Sequence, residues 1–384
     1  MNNFASQVGE RIRLARVAKA MTQEAFALAL GRNHHQTISA IETGIQQLQP
    51  DELAQAAQIL AKPISFFTDP YVVTENRAFS YRAKPNSHDI DAFEPKAHNL
   101  ISANRRFREI LEEPPSPIGQ QLRGVTRQTP LTLAATVGER VSQALKLGDP
   151  PALKLRDTIE SACKVMVLYV DAPQSISGAA CHLPDGDFIL INRTEPSFRR
   201  HFDLGHEFFH ILTWSQMPPE RLDSELEGNA RPKAEKLADA FTAGLLMPYD
   251  VIARRWRSRA PDLPIHDAIL ECAKEVRVSG QALFWRLVNT GLLSRSEQES
   301  VDTRKLSRPD NDDPAGRPNL FNADFVRRLH AVLHGGLLSV RKASELLDCD
   351  PDDLPAICAA YGYPSPACAQ PRPMNAAAPR SDLR

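Results

Sequence analysis

His201-Phe202-Asp203-Leu204-Gly205-His206-Glu207-Phe208-Phe209-His210-Ile211-Leu212 holds His-Glu-x-x-His inside a largely apolar stretch. Read as an α-helix, it sets His206 and His210 on one face with Cβ atoms roughly 5–6 Å apart, so that both imidazoles can reach one zinc ion. Glu207 is turned by about 100° around the axis, off the metal but within reach of a water beside it. Leu204, Phe208, Phe209, Ile211 and Leu212 predict burial on several sides, with the polar trio left at a cleft. The same five-residue pattern occurs by chance in many chains, and two histidines leave a catalytic zinc one protein ligand short. The surrounding residues have to decide.

Downstream stand Asp223, Glu225, Glu227, Glu235 and Asp239. Residues 234–246 read as a second apolar helix, with Leu237, Ala238, Phe241, Leu245 and Leu246 on its buried side. A carboxylate at Glu235, close to that face, calls for a cation, and Glu225 and Glu227 are the alternatives for a third ligand. Asp239, one turn further on, is placed to hydrogen-bond a ligating histidine. Upstream the hydrophobic period changes: residues 165–170, 177–182 and 188–192 read as short strands, with Leu183-Pro184-Asp185-Gly186-Asp187 turning between the last two. Phe188 to Asn192 is expected to be the edge on which an extended peptide can lie.

From about Arg77 to Leu293 the chain resembles the ImmA/IrrE-type metallopeptidases. The resemblance is carried by Ser177-Gly178, Ile191-Asn192, Phe202-x-Leu204-x-His206-Glu207-x-x-His210, Glu235-x-x-Ala238-x-x-Phe241, Leu245-Leu246-Met247-Pro248 and Val278-Ser279-x-x-Ala282-Leu283-x-x-Arg286-Leu287. It implies that His206, His210 and Glu235 ligate Zn2+, and that Glu207 is the general base, taking a proton from water and delivering it to the leaving amine. His201 stands where relatives commonly have an arginine, and Thr242 replaces a small residue. His182, His201 and Tyr249 are candidates for an oxyanion donor, and each also reads as structural.

Residues 9–67 form a run of short helical segments: Val8, Ile12 and Leu14 to Val17, then Thr22 to Leu30 stopped by Gly31, then His34 to Thr43 with Asn33 as cap and Gly44 as stop, then Asp51 to Leu60. This stretch resembles the XRE-type helix-turn-helix in Thr22-Gln23-Glu24-x-x-Ala27, Ile38-Ser39-x-Ile41-Glu42-x-Gly44, Pro50-x-x-Leu53 and Phe66-Phe67. The turn Gly31 to Thr37 is one residue longer than usual. The resemblance implies a double-stranded DNA operator as partner, with Gln36 and Thr37 at base edges, His35 and Ser39 as further contacts of that helix, and Gln23 on the DNA backbone. Six basic against five acidic side chains over residues 1–67 predict weak monomer binding, and hence a homodimer on a palindrome.

The 384 residues, 42% hydrophobic and 24% charged, have the composition of a globular protein of two or three domains. No apolar run approaches a membrane span and no signal-like N-terminus precedes the helices, so a cytoplasmic location without membrane contact is expected. The six cysteines show no Cys-x-x-Cys spacing and predict neither a disulfide framework nor a cysteine zinc knuckle. The expected fold class is mainly α with a small β-sheet (α+β). The expected division is a helix-turn-helix domain at 1–70, a connector with a helix (Phe93 to Glu112) at 71–117, the metallopeptidase domain at 118–295, a linker at 296–318, a C-terminal helical module at 319–362 and a disordered tail at 363–384. The module resembles a second helix-turn-helix, but Asp350, Asp352 and Asp353 would repel phosphate, which favours packing or dimerisation.

The leading reading is a DNA-binding regulator whose zinc endopeptidase domain cleaves a regulatory protein, such as a helix-turn-helix repressor, in a stress or mobile-element response. The alternative is a non-cleaving transcription factor or antitoxin whose peptidase-like domain senses metal or ligand. A sensor needs no base, so the presence of Glu207 favours the enzyme.

Overall fold

Val8, Ile12 and Ala15 recur at helical spacing and bury one face of α1 (Phe4–Ala18). The computed structural model describes residues 4–32, 35–69, 79–83, 87–114, 121–183, 186–218, 232–306 and 316–364. The chain divides into two units, Met1–Asn76 with His98–Arg106, and Arg77–Ala97 with Phe107–Arg384.

In the first unit α1 is followed by α2 (Gln23–Ala29), α3 (His35–Glu42), α4 (Pro50–Leu60) and α5 (Ile64–Thr68). Thr22 caps α2, its hydroxyl accepting from the Ala25 N–H. Ile12, Phe26, Ile38, Ile41 and Phe67 close the core. Beneath it lies an ion pair: Arg16 Nε and Nη2 donate to Glu42 at 2.6 and 3.1 Å, and Gln23 Nε2 donates to the same carboxylate at 2.7 Å. The α3 start is His35, and the expected cap Asn33 lies outside the described residues.

The second unit contains β1 (Ser80–Ala83), part of α6 (Ser87–Ile110), α7 (Leu131–Ala144), α8 (Ala152–Ala162), β2 (Val165–Val170), β3 (Ile176–Leu183), β4 (Gly186–Asn192), α9 (Ser197–Thr213) and α10 (Lys233–Leu246). It continues with α11 (Tyr249–Arg257), α12 (Ile265–Val276), α13 (Gly280–Asn289), α14 (Arg295–Ser300), α15 (Ala323–His334), α16 (Val340–Leu347) and α17 (Asp353–Ala359). The fold is mainly α with one small sheet. No helix among the described residues is long and apolar enough to cross a membrane.

The sheet has four strands in the order β1-β3-β4-β2, with β2 parallel to β4 and the other pairs antiparallel. Two expectations are corrected here. β4, which contains Phe188 to Asn192, is not an edge: it is bonded on both sides and buried along its whole length. The unbroken apolar run Phe188 to Ile191 suits a strand covered on both faces rather than an exposed edge. The connector also supplies a fourth strand, β1, and α6 begins at Ser87 rather than Phe93.

Helices α7 and α10 meet backbone to backbone. A Cβ on Gly138 would stand 2.0 Å from Phe241 O, and one on Gly244 1.9 Å from Ala135 O, so only glycine permits this approach. The contact fixes α10, which carries Glu235 and Asp239, from the side opposite its polar groups.

The stretch expected to be a linker from 296 is ordered as far as 306. Ser294 and Glu297 form a capping box on α14, and a 3-10 turn, Thr303–Leu306, buries Leu306 in the main core. Residues 307–315 lie outside the described residues, as do 365–384, where the disordered tail was expected. On its return the chain pairs with the outer side of β2: Phe321 N donates to Tyr169 O at 2.7 Å, Tyr169 N to Phe321 O at 3.4 Å. Arg200 Nη2 and Arg193 Nη1 hold the Gly316 and Pro318 carbonyls at 2.8 and 3.2 Å. Glu113 binds Arg327 and Arg328 of α15 at 2.9 and 2.7 Å, and Phe107 packs on Phe325.

Candidate metal centre

Pro196 precedes α9 and the helix runs through His206, Glu207 and His210 without a break, buried from Asp203 to Thr213. His206 and His210 are 0% and 4% exposed, and their rings lie 4.9 Å apart on one face. α10 brings a carboxylate to them. His206 Nε2 is 3.0 Å from Glu235 Oε2, His210 Nε2 is 3.2 Å from Glu235 Oε1, and the two Nε2 atoms are 3.2 Å apart. Donors bonded to a tetrahedral zinc at about 2.0–2.1 Å are separated by roughly 3.3 Å, so the two imidazole nitrogens stand at ligand spacing and each has a Glu235 oxygen near that distance.

The protonation pattern points the same way. Asp239 Oδ1 lies 3.0 Å from His206 Nδ1, which donates to it and leaves the Nε2 lone pair facing His210 and Glu235. Lone pairs and a carboxylate converging in a buried place need a shared cation. Burial opposes ionisation of Glu235, yet the facing imidazoles of His206 and His210 outweigh it and hold the carboxyl well below its ordinary range. Among the described residues, His206, His210 and Glu235 are the one cluster of three or more such donors placed to hold a metal ion. Glu225 and Glu227, the alternatives for the third ligand, lie outside the described residues, as does Asp223.

Glu207 is fully buried on the sheet side of α9. A Cβ on Gly178 of β3 would stand 3.2 Å from Glu207 Cγ, so the absence of a side chain there is what accommodates the glutamate. The same economy brings α9 and α10 together, since a Cβ on Gly205 would meet Thr242 Cγ2 at 2.8 Å.

Residues 161–287 match the family model of the IrrE N-terminal-like domain, Peptidase_M78, and residues 12–67 match the helix-turn-helix model HTH_3. The chain is an XRE-type helix-turn-helix joined to an IrrE-like peptidase domain. A search of curated proteins finds no match.

The matched residues of the IrrE-like domain include the three donors, His206, His210 and Glu235, and also Glu207 and Asp239. The oxyanion candidates have other partners: His182 Nδ1 is bonded to Asp187, His201 Nδ1 donates to Arg277 O at 3.3 Å, and Tyr249 OH accepts from Arg257 at 3.2 Å. In the helix-turn-helix domain Gln36 and Ser39 are exposed on α3, Thr37 is half-buried, and the His35 side chain lies outside the described residues. Gln23 is tied to Glu42 at the start of α2, a link that sequence spacing does not reveal. The fit of Gly178 to Glu207 was equally hidden, because it depends on which strand lies over the helix.

Proposed function

We propose that this chain is a cytoplasmic DNA-binding regulator, dimeric on its operator, whose IrrE-like domain is a zinc endopeptidase acting on a regulatory protein such as a helix-turn-helix repressor. The observation that carries the catalytic part is the convergence of the His206 and His210 Nε2 atoms, 3.2 Å apart, on the two oxygens of Glu235 at 3.0 and 3.2 Å, with Asp239 behind His206. Zn2+ held there by His206, His210 and Glu235 would supply Lewis-acid polarisation and a water of lowered pKa. The protein's own part is proton handling and orientation. Asp239 keeps the His206 proton on Nδ1, so that Nε2 is free to bind. The Glu207 carboxylate takes a proton from the attacking water and passes it to the leaving nitrogen. Burial around it excludes bulk water from that transfer.

The test is incubation of the zinc-loaded chain with purified candidate repressors beside Glu207→Gln. General-base removal should slow cleavage by about 10²–10⁴-fold with metal content unchanged. Equal cleavage by both chains would remove Glu207 from its role. Operator binding that responds to zinc with no cleavage of any candidate would favour the sensor reading.

A further inference from the structure

A second pair of histidines stands at the helical spacing of the first. His330 and His334 lie four residues apart on one face of α15, with ring centroids 5.6 Å apart against 4.9 Å for His206 and His210. Both lie outside residues 161–287, so the pair belongs to the module that follows the matched peptidase domain.

The two rings are held differently. His330 is half-buried, and the Tyr363 ring stacks on it with centroids 5.0 Å apart and 21° between the planes. Its Nε2 atom is shielded from solvent and has no hydrogen-bond partner among the described residues. A buried nitrogen left in that condition costs free energy, and a water or an ion is what ordinarily relieves it. Water alone would leave the second imidazole beside it without a task. His334 is exposed, so its side chain can turn to close the pair while packing keeps His330 in place. The entropy of ordering then falls on one side chain instead of two. His334 also stands in the last turn of α15, where the negative end of the helix dipole favours a cation.

We infer that His330 and His334 form a second metal site, on the C-terminal module, for a divalent cation of the class that prefers imidazole: Zn2+, Ni2+ or Cu2+, with Cu2+ held most tightly. Mg2+ and Ca2+, which take oxygen ligands, do not suit it. Among the described residues no third His, Cys, Asp or Glu donor joins the pair, so water completes the coordination. With two protein ligands the site is the weaker one, and it fills after the centre that contains Glu235. Occupation would stiffen the last turn of α15 beneath Tyr363.

The test is equilibrium dialysis of the full chain against Zn2+, and separately Ni2+, with bound metal read by elemental analysis and folding by circular dichroism. Wild type should hold two equivalents at saturation. His334→Ala, at an exposed position, should hold one, and His330→Phe, which keeps a ring against Tyr363 but removes the donor, should also hold one. His206→Ala should retain the α15 equivalent, and His206→Ala/His334→Ala should hold none. In His206→Ala loaded with Cu2+, electron paramagnetic resonance should show coupling to two nitrogens, lost in the double variant. Metal content unchanged by His334→Ala, or lowered by only one of His334→Ala and His330→Phe, overturns the proposal and assigns water to His330 Nε2. A single equivalent in wild type that His206→Ala removes overturns it too. A single equivalent that only His334→Ala and His330→Phe remove supports it and instead sinks the reading of His206, His210 and Glu235 as a metal centre.

Discussion

Asp239 Oδ1 lies 3.0 Å from His206 Nδ1, a contact that suits the tautomer whose Nε2 is free to bind a metal. Asp239→Asn should weaken zinc binding by about 10–100-fold, measured by competition with a chromophoric chelator. Glu235→Ala should lose the metal, and full occupancy in that variant would move the third ligand to Glu225 or Glu227. In the first unit the sensitive residue is Arg16. Removing it leaves the Glu42 carboxylate, whose side chain is 3% exposed, without its cation. Arg16→Ala should destabilise that unit by about 3–5 kcal/mol in chemical denaturation, and a smaller loss would mean that Gln23 suffices to hold Glu42. His206, His210 and Glu207 were legible because a helix converts a spacing of four into a shared face. Glu235 was legible as an acid near an apolar stripe. Gly178 was visible as a motif only, because its task depends on a strand and a helix distant in sequence.

Among the elements, α10 owes its position to glycine contacts. Gly244→Ala would drive a methyl group into Ala135 O and force α7 and α10 apart. A cost of about 1–3 kcal/mol is expected, with weaker zinc binding as Glu235 shifts, read from denaturation and metal titration on one sample. The long helices and β2 to β4 were readable from period and β-rich composition. β1 was not, since four residues carry too little pattern, and β4 was misplaced at an edge although its continuous apolar run fits an interior strand. The attachment of α15 has a pH sign. Burial raises the Glu113 carboxyl, hydrogen bonds from Arg327 and Arg328 outweigh it, and the net pKa is lowered on folding. Its contribution is present above the ordinary carboxylate range and is lost as pH falls through the lowered value. Glu113→Gln should therefore flatten the acid-side loss of stability, while a titration unchanged by the substitution would remove Glu113 from that role.

At the scale of the molecule, two recognisable modules share one chain, and their order is legible from motifs alone. What a dimer adds is not. With nearly balanced charge over residues 1–67, operator affinity should depend on protein concentration and fall with salt by about 0.9 log units per tenfold salt for each phosphate contact. A steep slope at concentrations where sedimentation shows a monomer would refute the need for two copies. The bond pair between Phe321 and Tyr169 has a consequence of a different kind. β2 reads Val-Met-Val-Leu-Tyr-Val, uncharged and free of proline, the composition that recruits like strands when its hydrogen-bonding side is bare. The returning segment therefore acts as a solubility guard. A chain ending at Leu306 should keep its metal ligands yet scatter light increasingly with concentration and time.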